Sequence, residues 1–330
     1  MTNFLIVLLC FAFSTLHAQQ LIQFQPTSYS NKFSSALAPV LKINSGDTVA
    51  TSSADAIGID KNGNRVANRG NPLTGPFYIE GASRGDVLAI TLHSVQLNRN
   101  YATTLNALIP KLLPKSIAMK TWRSAKLVKW HLDLEQNTGT PPDSLTRLKN
   151  LKIPLHAFLG CVGVASDGNK PANTGASGAY GGNMDWRYAT SGATVFLPVF
   201  HEGALLYLGD GHAAQGDGEL NGDALETSMN FSFSVQVLKK SDFPLETPMM
   251  ENADYLMFFG IESSLDQALK TATTHLQNWL QKQYALSLAE ISQVVGPAIE
   301  YRIPKIAASK VEIVAMIPKK LLTSLIQIQN

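Results

Sequence analysis

Residues 178–226 are the part of the chain whose side chains could do chemistry. Gly181-Gly182-Asn183-Met184-Asp185 forms one knot of polar residues and glycine. Gly209-Asp210-Gly211-His212, running on to Gln215-Gly216-Asp217-Gly218-Glu219, forms another, and an apolar run at 194–199 lies between them. In extended backbone, residues two apart point to the same face, so Asp210 can converge with His212, and Gln215 with Asp217 and Glu219. The interspersed glycines permit close approach of main chain to a ligand. Carboxylate oxygens and an imidazole nitrogen suit zinc or, with more oxygens, calcium. A metal with an open position can activate water and polarise a carbonyl. Glu226 follows on an apparent strand. The plainer reading is a solvated Asp/Gly turn, with Asn183 and Asp185 bonding the local backbone and Glu226 a surface carboxylate.

Other chemistries find less support. Gly81-Ala82-Ser83-Arg84-Gly85 has the Gly-x-Ser-x-Gly spacing but falls on a turn between two strand-like runs, so it makes no strand-to-helix nucleophile elbow. The glycines at 178–182 are not followed by Gly-Lys-Ser/Thr, so no phosphate loop forms. Cys161 sits in an apolar run and reads as a small buried hydrophobe. His93, His131, His156 and His201 read as structural, with His156 and His201 able to approach the site; His275 falls on a late helix.

The elements that must position these residues are mostly strands. Gly46-Asp47-Thr48-Val49 opens an extended segment reaching Asp55. Runs at 71–82 and 85–92 read as strands joined by a turn at 83–86, and 127–134 and 231–237 alternate with period two. Residues 101–115 carry some helical spacing, broken by Pro110 and Pro114. The clearest helix follows a Ser264-x-x-Gln267 capping box and carries a stripe of Leu265, Ala268, Leu269, Ala272, Leu276, Trp279 and Leu280. A second box, Ser287-x-x-Glu290, opens a shorter helix, and 311–317 closes the chain as a strand. The pattern predicts a mainly β chain with a smaller α+β portion, built of packed β-sandwich or barrel units. An N-terminal β unit over about 19–150 and a site-bearing unit over 151–330 are expected.

The chain has 330 residues, 45% of them hydrophobic, a charged fraction of 16% and a formal net charge of +2, enough for a large core. With no basic or acidic block there is no electrostatic case for nucleic acid or an anionic membrane. An apolar run at 4–13 followed by Leu16-His17-Ala18 reads as a signal peptide cleaved after Ala18. An exported protein, periplasmic or extracellular, is therefore expected. Cys10 would leave with that segment, so Cys161 would be alone and no internal disulfide would form. After cleavage no membrane association is expected, and homo-oligomerisation stays open.

The ordered blocks Gly181-Gly182-Asn183-Met184-Asp185, Leu197-Pro198-Val199, Gly203-Ala204-Leu205-Leu206 and 209–219, then Ala224-x-Glu226, resemble the signature of the acetamidase/formamidase family. Asn71-Pro72-x-Thr74-Gly75-Pro76, Glu80-Gly81-Ala82, Gly85-Asp86, Gly46-Asp47-Thr48 and Asp55-Ala56 resemble it too. The resemblance runs over roughly 40–320. It implies hydrolysis of a small linear carboxamide to carboxylate and ammonia, assisted by a divalent metal, zinc in preference to calcium. Carried over by position, Asp210, His212, Asp185, Gln215 and Asp55 are the expected metal ligands. Glu219, Glu226, Asp217 and Asn183 are the expected catalytic residues. One departure is Tyr180, where many relatives have histidine. The signal-like N-terminus is another. The competing expectations are an exported non-catalytic β-sandwich binding a small ligand or calcium, and an amidase for ureido or cyclic amides.

Overall fold

The structure, a computed structural model, describes residues 19–326 apart from 169, 240–242 and 244. The expected signal peptide lies outside the described residues. No described helix is long and apolar enough to cross a membrane.

Two large sheets face each other. In the first, nine strands run in the order Leu21–Gln23, Thr48–Ser52, Met229–Leu238, Val87–Leu97, Thr194–Pro198, Met249–Glu251, Tyr255–Glu262, Val311–Pro318, Glu300–Arg302. The second holds eleven strands. Its centre places Tyr101–Leu105, Glu226–Thr227, Leu206–His212, Phe158–Val164 and Gly181–Asn183 side by side. Ile90, Val195 and Phe233 of the first sheet pack with Phe77, Leu159, Val162 and Leu206 of the second in one buried core. This is the sandwich core, formed because each sheet must bury one apolar face. Met229–Leu238 turns Phe231, Phe233 and Val235 inward and the residues between them outward, as period two requires. Leu206–His212 and Phe158–Val164 are buried at every position, so they show no alternation.

A helical layer covers the outer face of the first sheet. Helix Leu265–Tyr284 lays Ala268, Ala272, Leu276 and Leu280 against Phe258, Ile313 and Ala315. A Cβ at Gly260 would lie 1.9 Å from the Ala268 carbonyl oxygen, so the helix rests directly on sheet backbone there. Only four members of the seven-residue stripe are buried; Leu265 and Leu269 are exposed. Ser264 caps the helix by accepting from the Gln267 amide, but the Gln267 side chain bonds Ser263 and the box stays half closed. The Ser287/Glu290 box is complete.

Residues 101–115 depart from their helical spacing. Tyr101–Leu105 is a strand between Leu127–Asp133 and Glu226–Thr227, and the helix, Lys115–Arg123, begins only after Pro114. Pairing with two neighbours overrides the local pattern, and proline is tolerated only at the helix start. The turn at 83–86 carries the chain from the second sheet, which holds Leu73–Ile79, to the first, which holds Val87–Leu97. Strands from before and after residue 150 alternate within the first sheet: Thr48–Ser52 and Val87–Leu97 flank Met229–Leu238.

Candidate metal centre and active site

Three neighbouring strands of the second sheet and the turn after a fourth bring the polar residues together. His212 stands opposite Glu226 in one register and opposite Phe158 in another, while Cys161 stands opposite Asn183. Phe158 and Glu226, far apart in the chain, thus stand on either side of His212. His212 Nε2 lies 3.3 Å from Glu226 Oε2, 3.6 Å from Asp210 Oδ2 and 3.9 Å from Asp185 Oδ1. Asp185, His212 and Glu219 form one set of convergent donors, and Asp210, His212 and Glu226 form a second that shares the imidazole. All five side chains are buried.

The backbone is bent to make this possible. Eight described non-glycine residues have positive φ, and four of them are Asn71, Asp185, Asp210 and Glu219. A left-handed conformation costs a non-glycine residue about 1–3 kcal/mol and persists where surrounding contacts impose it. Asp210 therefore does not reach His212 by simple strand alternation; it reaches it through a kink at φ 59°. At Gly160 an added Cβ would lie 2.7 Å from His212 Cε1 and 2.8 Å from both His212 Nε2 and Asp185 Oδ1. Glycine keeps that space open at the focus of the donors.

Partners behind the donors fix their directions. The Asn71 amide donates to Asp210 Oδ2 and to Asn183 Oδ1, each at 2.9 Å. Asn183 Nδ2 donates to Asp185 Oδ2 at 2.6 Å, and the Cys161 thiol lies 3.0 Å from Asn183 Oδ1. Asn183 thus holds Asp185 with Nδ2, while its Oδ1 is fixed by Asn71 and Cys161. Gln215 is not among the converging donors. Its Oε1 lies 2.9 Å from His212 Nδ1, and its Nε2 donates to the Asp185 and Pro304 carbonyls. Because Gln215 Nε2 donates elsewhere, Oε1 accepts from Nδ1–H, and the contact turns the imidazole Nε2 toward the carboxylates. The 215–219 set fails to converge because it is a turn, not a strand. Gln215 backs the imidazole, Glu219 enters the cluster, and Asp217 sits at the rim, paired with Arg187 at 2.8 Å and Arg302 at 3.3 Å. Asp55 is placed elsewhere: Oδ2 accepts from Arg99 at 2.6 Å, and Oδ1 from the Ile57 and Ile59 amides. Tyr180 packs its ring on Phe33 at 5.1 Å. Cys161 is buried, and burial pushes its thiol up, so it stays protonated.

Lys305 and Glu312 had no sequence signal, since an isolated lysine near a strand reads as surface. Lys305 is 1% exposed, 2.7 Å from Asp185 Oδ2 and 3.6 Å from Glu312 Oε1, and donates to the Asn183 carbonyl. Ser177 donates to Glu312 at 2.5 Å. Burial pulls the Lys305 ammonium down, but Asp185, Glu312 and Glu219 outweigh it and hold it protonated. Burial raises the carboxyls: Glu226 to about 8 and Glu312 to about 7, with Asp185 and Glu219 also up. Burial also opposes charge on His212, yet Glu226 and Asp210 drive its net direction upward.

Asp185 Oδ1, Asp210 Oδ1, His212 Nε2 and Glu226 Oε2 are buried and have no hydrogen-bond partner. Buried polar atoms are normally paired, and leaving one unpaired costs about 1–3 kcal/mol. Three of them converge, with Asp185 Oδ1 and Glu226 Oε2 within 3.9 Å of His212 Nε2, and Asp210 adds a fourth bare oxygen. Beside a glycine that keeps the space clear, the two donor sets sharing His212 fit a divalent cation.

The Acetamidase/Formamidase family model matches residues 120–309, more than half of the chain, and the chain belongs to that family. A Schizosaccharomyces pombe protein, named provisionally as a formamidase, is 26% identical over 270 residues. That match covers 63% of this chain and 65% of the yeast protein's own length. A solved Bacillus halodurans acetamidase superposes with a TM-score of 0.78 at 28% identity, over 92% of this chain and 99% of the other. A Thermoanaerobacter tengcongensis structure, assigned by sequence as an acetamidase/formamidase, gives a TM-score of 0.80 at 25% identity, over 93% and 99%.

Proposed function

We propose that the chain is a metal-dependent amidase that hydrolyses a small linear carboxamide to carboxylate and ammonia. The observation that carries this is the set of buried donor atoms without partners around His212, in a chain whose relatives are named formamidase and acetamidase. Asp185, Asp210, His212 and Glu226 would hold the ion, with Glu219 beside them. One imidazole among carboxylates favours zinc over calcium. A divalent ion there supplies Lewis acidity toward a carbonyl oxygen and acidifies water.

The chain's own residues do the rest. Glu219 lies both in the cluster and on the wall of the adjoining cleft, so it is the carboxylate placed to meet substrate. Its raised pKa matches a group that accepts a proton from the attacking water and returns it to the leaving nitrogen. Glu226 is less free, since Oε1 accepts from the Ala224 amide and Oε2 faces His212. Gln215 keeps Nε2 of the imidazole turned inward, Lys305 offsets part of the cost of burying the Asp185 carboxylate, and Asn183 aims it. Asp217 and Asn183, expected from the family pattern to be catalytic, act in this reading as rim and positioning residues.

The test combines metal analysis of purified protein with ammonia release from formamide, acetamide and propionamide. Bound divalent metal with turnover is expected; neither ammonia nor metal would sink the reading. We infer export from the N-terminal run, and N-terminal sequencing of secreted or periplasmic material should begin at Gln19.

A further inference from the structure

A cleft of about 700 Å³ opens beside the cluster. Cavities of roughly 300–1,000 Å³ accommodate drug-sized molecules, whereas acetamide has only four non-hydrogen atoms. The walls differ along their length. At the inner end stand Glu219 and Phe158, whose ring meets His212 edge-on with centroids 4.9 Å apart. Further out, Trp130 and Ile153 pack on the buried Leu155 and Leu225 and form an apolar floor, and Leu220 is on the lining too. The charged lining is unevenly balanced. Arg187 is committed to Asp217 and to the Gln215 carbonyl, while Glu219 and Asp223 add carboxyl groups.

We propose, on the basis of the amidase reading, that this cleft selects neutral primary carboxamides with an apolar tail of about phenyl size, aryl or alkyl. The carboxamide sits at the Glu219 end and the tail on the Trp130–Ile153 floor. An aromatic tail gains an indole to pack on, and burial of apolar area favours any such tail over a methyl group. An anionic tail meets like charge and is rejected. The reaction is R–CONH2 + H2O giving R–COO⁻ and NH4⁺: the C–N bond breaks, a C–O bond forms, the water's protons end on nitrogen, and nothing is oxidised or reduced.

The test measures kcat/KM for ammonia release by the enzyme with its own metal on acetamide, hexanamide, 2-phenylacetamide and succinamate. Each methylene accommodated in an apolar pocket can be worth tenfold or more, so 2-phenylacetamide and hexanamide should exceed acetamide by at least about tenfold. Succinamate should not exceed acetamide. Trp130→Ala, and separately the cleft-filling Ile153→Trp, should shrink the 2-phenylacetamide to acetamide ratio by about tenfold. Good turnover of acetamide with no gain along the series would overturn the cleft proposal and leave the amidase reading standing. If no amide releases ammonia, the amidase reading fails, and calorimetric binding of 2-phenylacetamide and acetamide to the same protein then decides the cleft. At least about tenfold tighter binding of the aryl amide supports it; equal or undetectable binding of both overturns it.

Discussion

Among the described residues, the buried charged clusters at Asp55 and at His212 are finished differently. At Asp55 every carboxylate oxygen has a donor: Arg99 takes one and two backbone amides take the other. Arg99 is itself consumed by Thr227, by the Tyr101 carbonyl and hydroxyl, and by the Tyr101 ring at 4.1 Å. At His212 the backing amides of Asn71, Asn183 and Gln215 are bonded, but the atoms turned toward the imidazole and its carboxylates are bare. Both clusters are buried carboxylates beside a nitrogen side chain, so burial does not separate them. What separates them is whether the hydrogen-bond accounting closes without a ligand. Carboxylate and imidazole atoms left bare beside one another mark a place for a cation.

The comparison can be broken first at the open cluster. Asp210→Ala and His212→Ala should each lose metal, read by mass spectrometry of the purified protein, and lower amide turnover by on the order of a thousandfold or more. Retained metal and activity in both would move the site elsewhere. At the closed cluster, Arg99→Met should leave Asp55 buried and uncompensated. A loss of about 3–5 kcal/mol in denaturant unfolding is expected, with metal content per folded molecule unchanged. Loss of metal with intact stability would erase the distinction between the two regions. Gln215→Ala lies between these extremes. It should weaken metal binding by about 10–100-fold in a chelator competition, because Gln215 acts on the centre indirectly, through the His212 ring and the Asp185 carbonyl. Asp217→Asn should be the smallest change, within about 1 kcal/mol in stability, since its ion pairs are partly solvated.

Protonation sharpens the contrast further. Burial places Glu226 at about 8 and Glu312 at about 7, above their ordinary 4.5. A carboxyl raised on folding binds its proton more tightly in the native state. Its contribution is therefore fully present below about pH 4.5 and is lost as pH rises through 7 to 8. After chelation, Tm should fall from pH 5 to pH 8. Added divalent metal should restore most at the upper end, where the ligands are deprotonated. A chelated protein whose Tm rises over that range would contradict the assignment of these groups.

Much of this centre was legible in the sequence because its donors are packed into short polar knots. Asp185, Asp210, His212, Glu219 and Glu226 all come together, as do the strands at 127–134 and 231–237 that build the sheets. What escaped depends on long-range register. Lys305 and Glu312 reach the centre only through tertiary packing, and nothing in their neighbours in sequence sets them apart. Gln215 and Asp217 carried the right residue types but lie on a turn, where period two does not hold. Asp55 looked like a ligand because its partner, Arg99, is 44 positions away. The strand Tyr101–Leu105 looked helical because its pairing partners, not its own spacing, decide its form.

The central claim is that a divalent cation sits among Asp185, Asp210, His212 and Glu226. Anomalous diffraction from crystals of the purified protein tests it directly. A peak about 2.0–2.6 Å from His212 Nε2 and carboxylate oxygens of this set is expected. An empty focus in metal-replete crystals, or a peak coordinated at Asp55 instead, would contradict it.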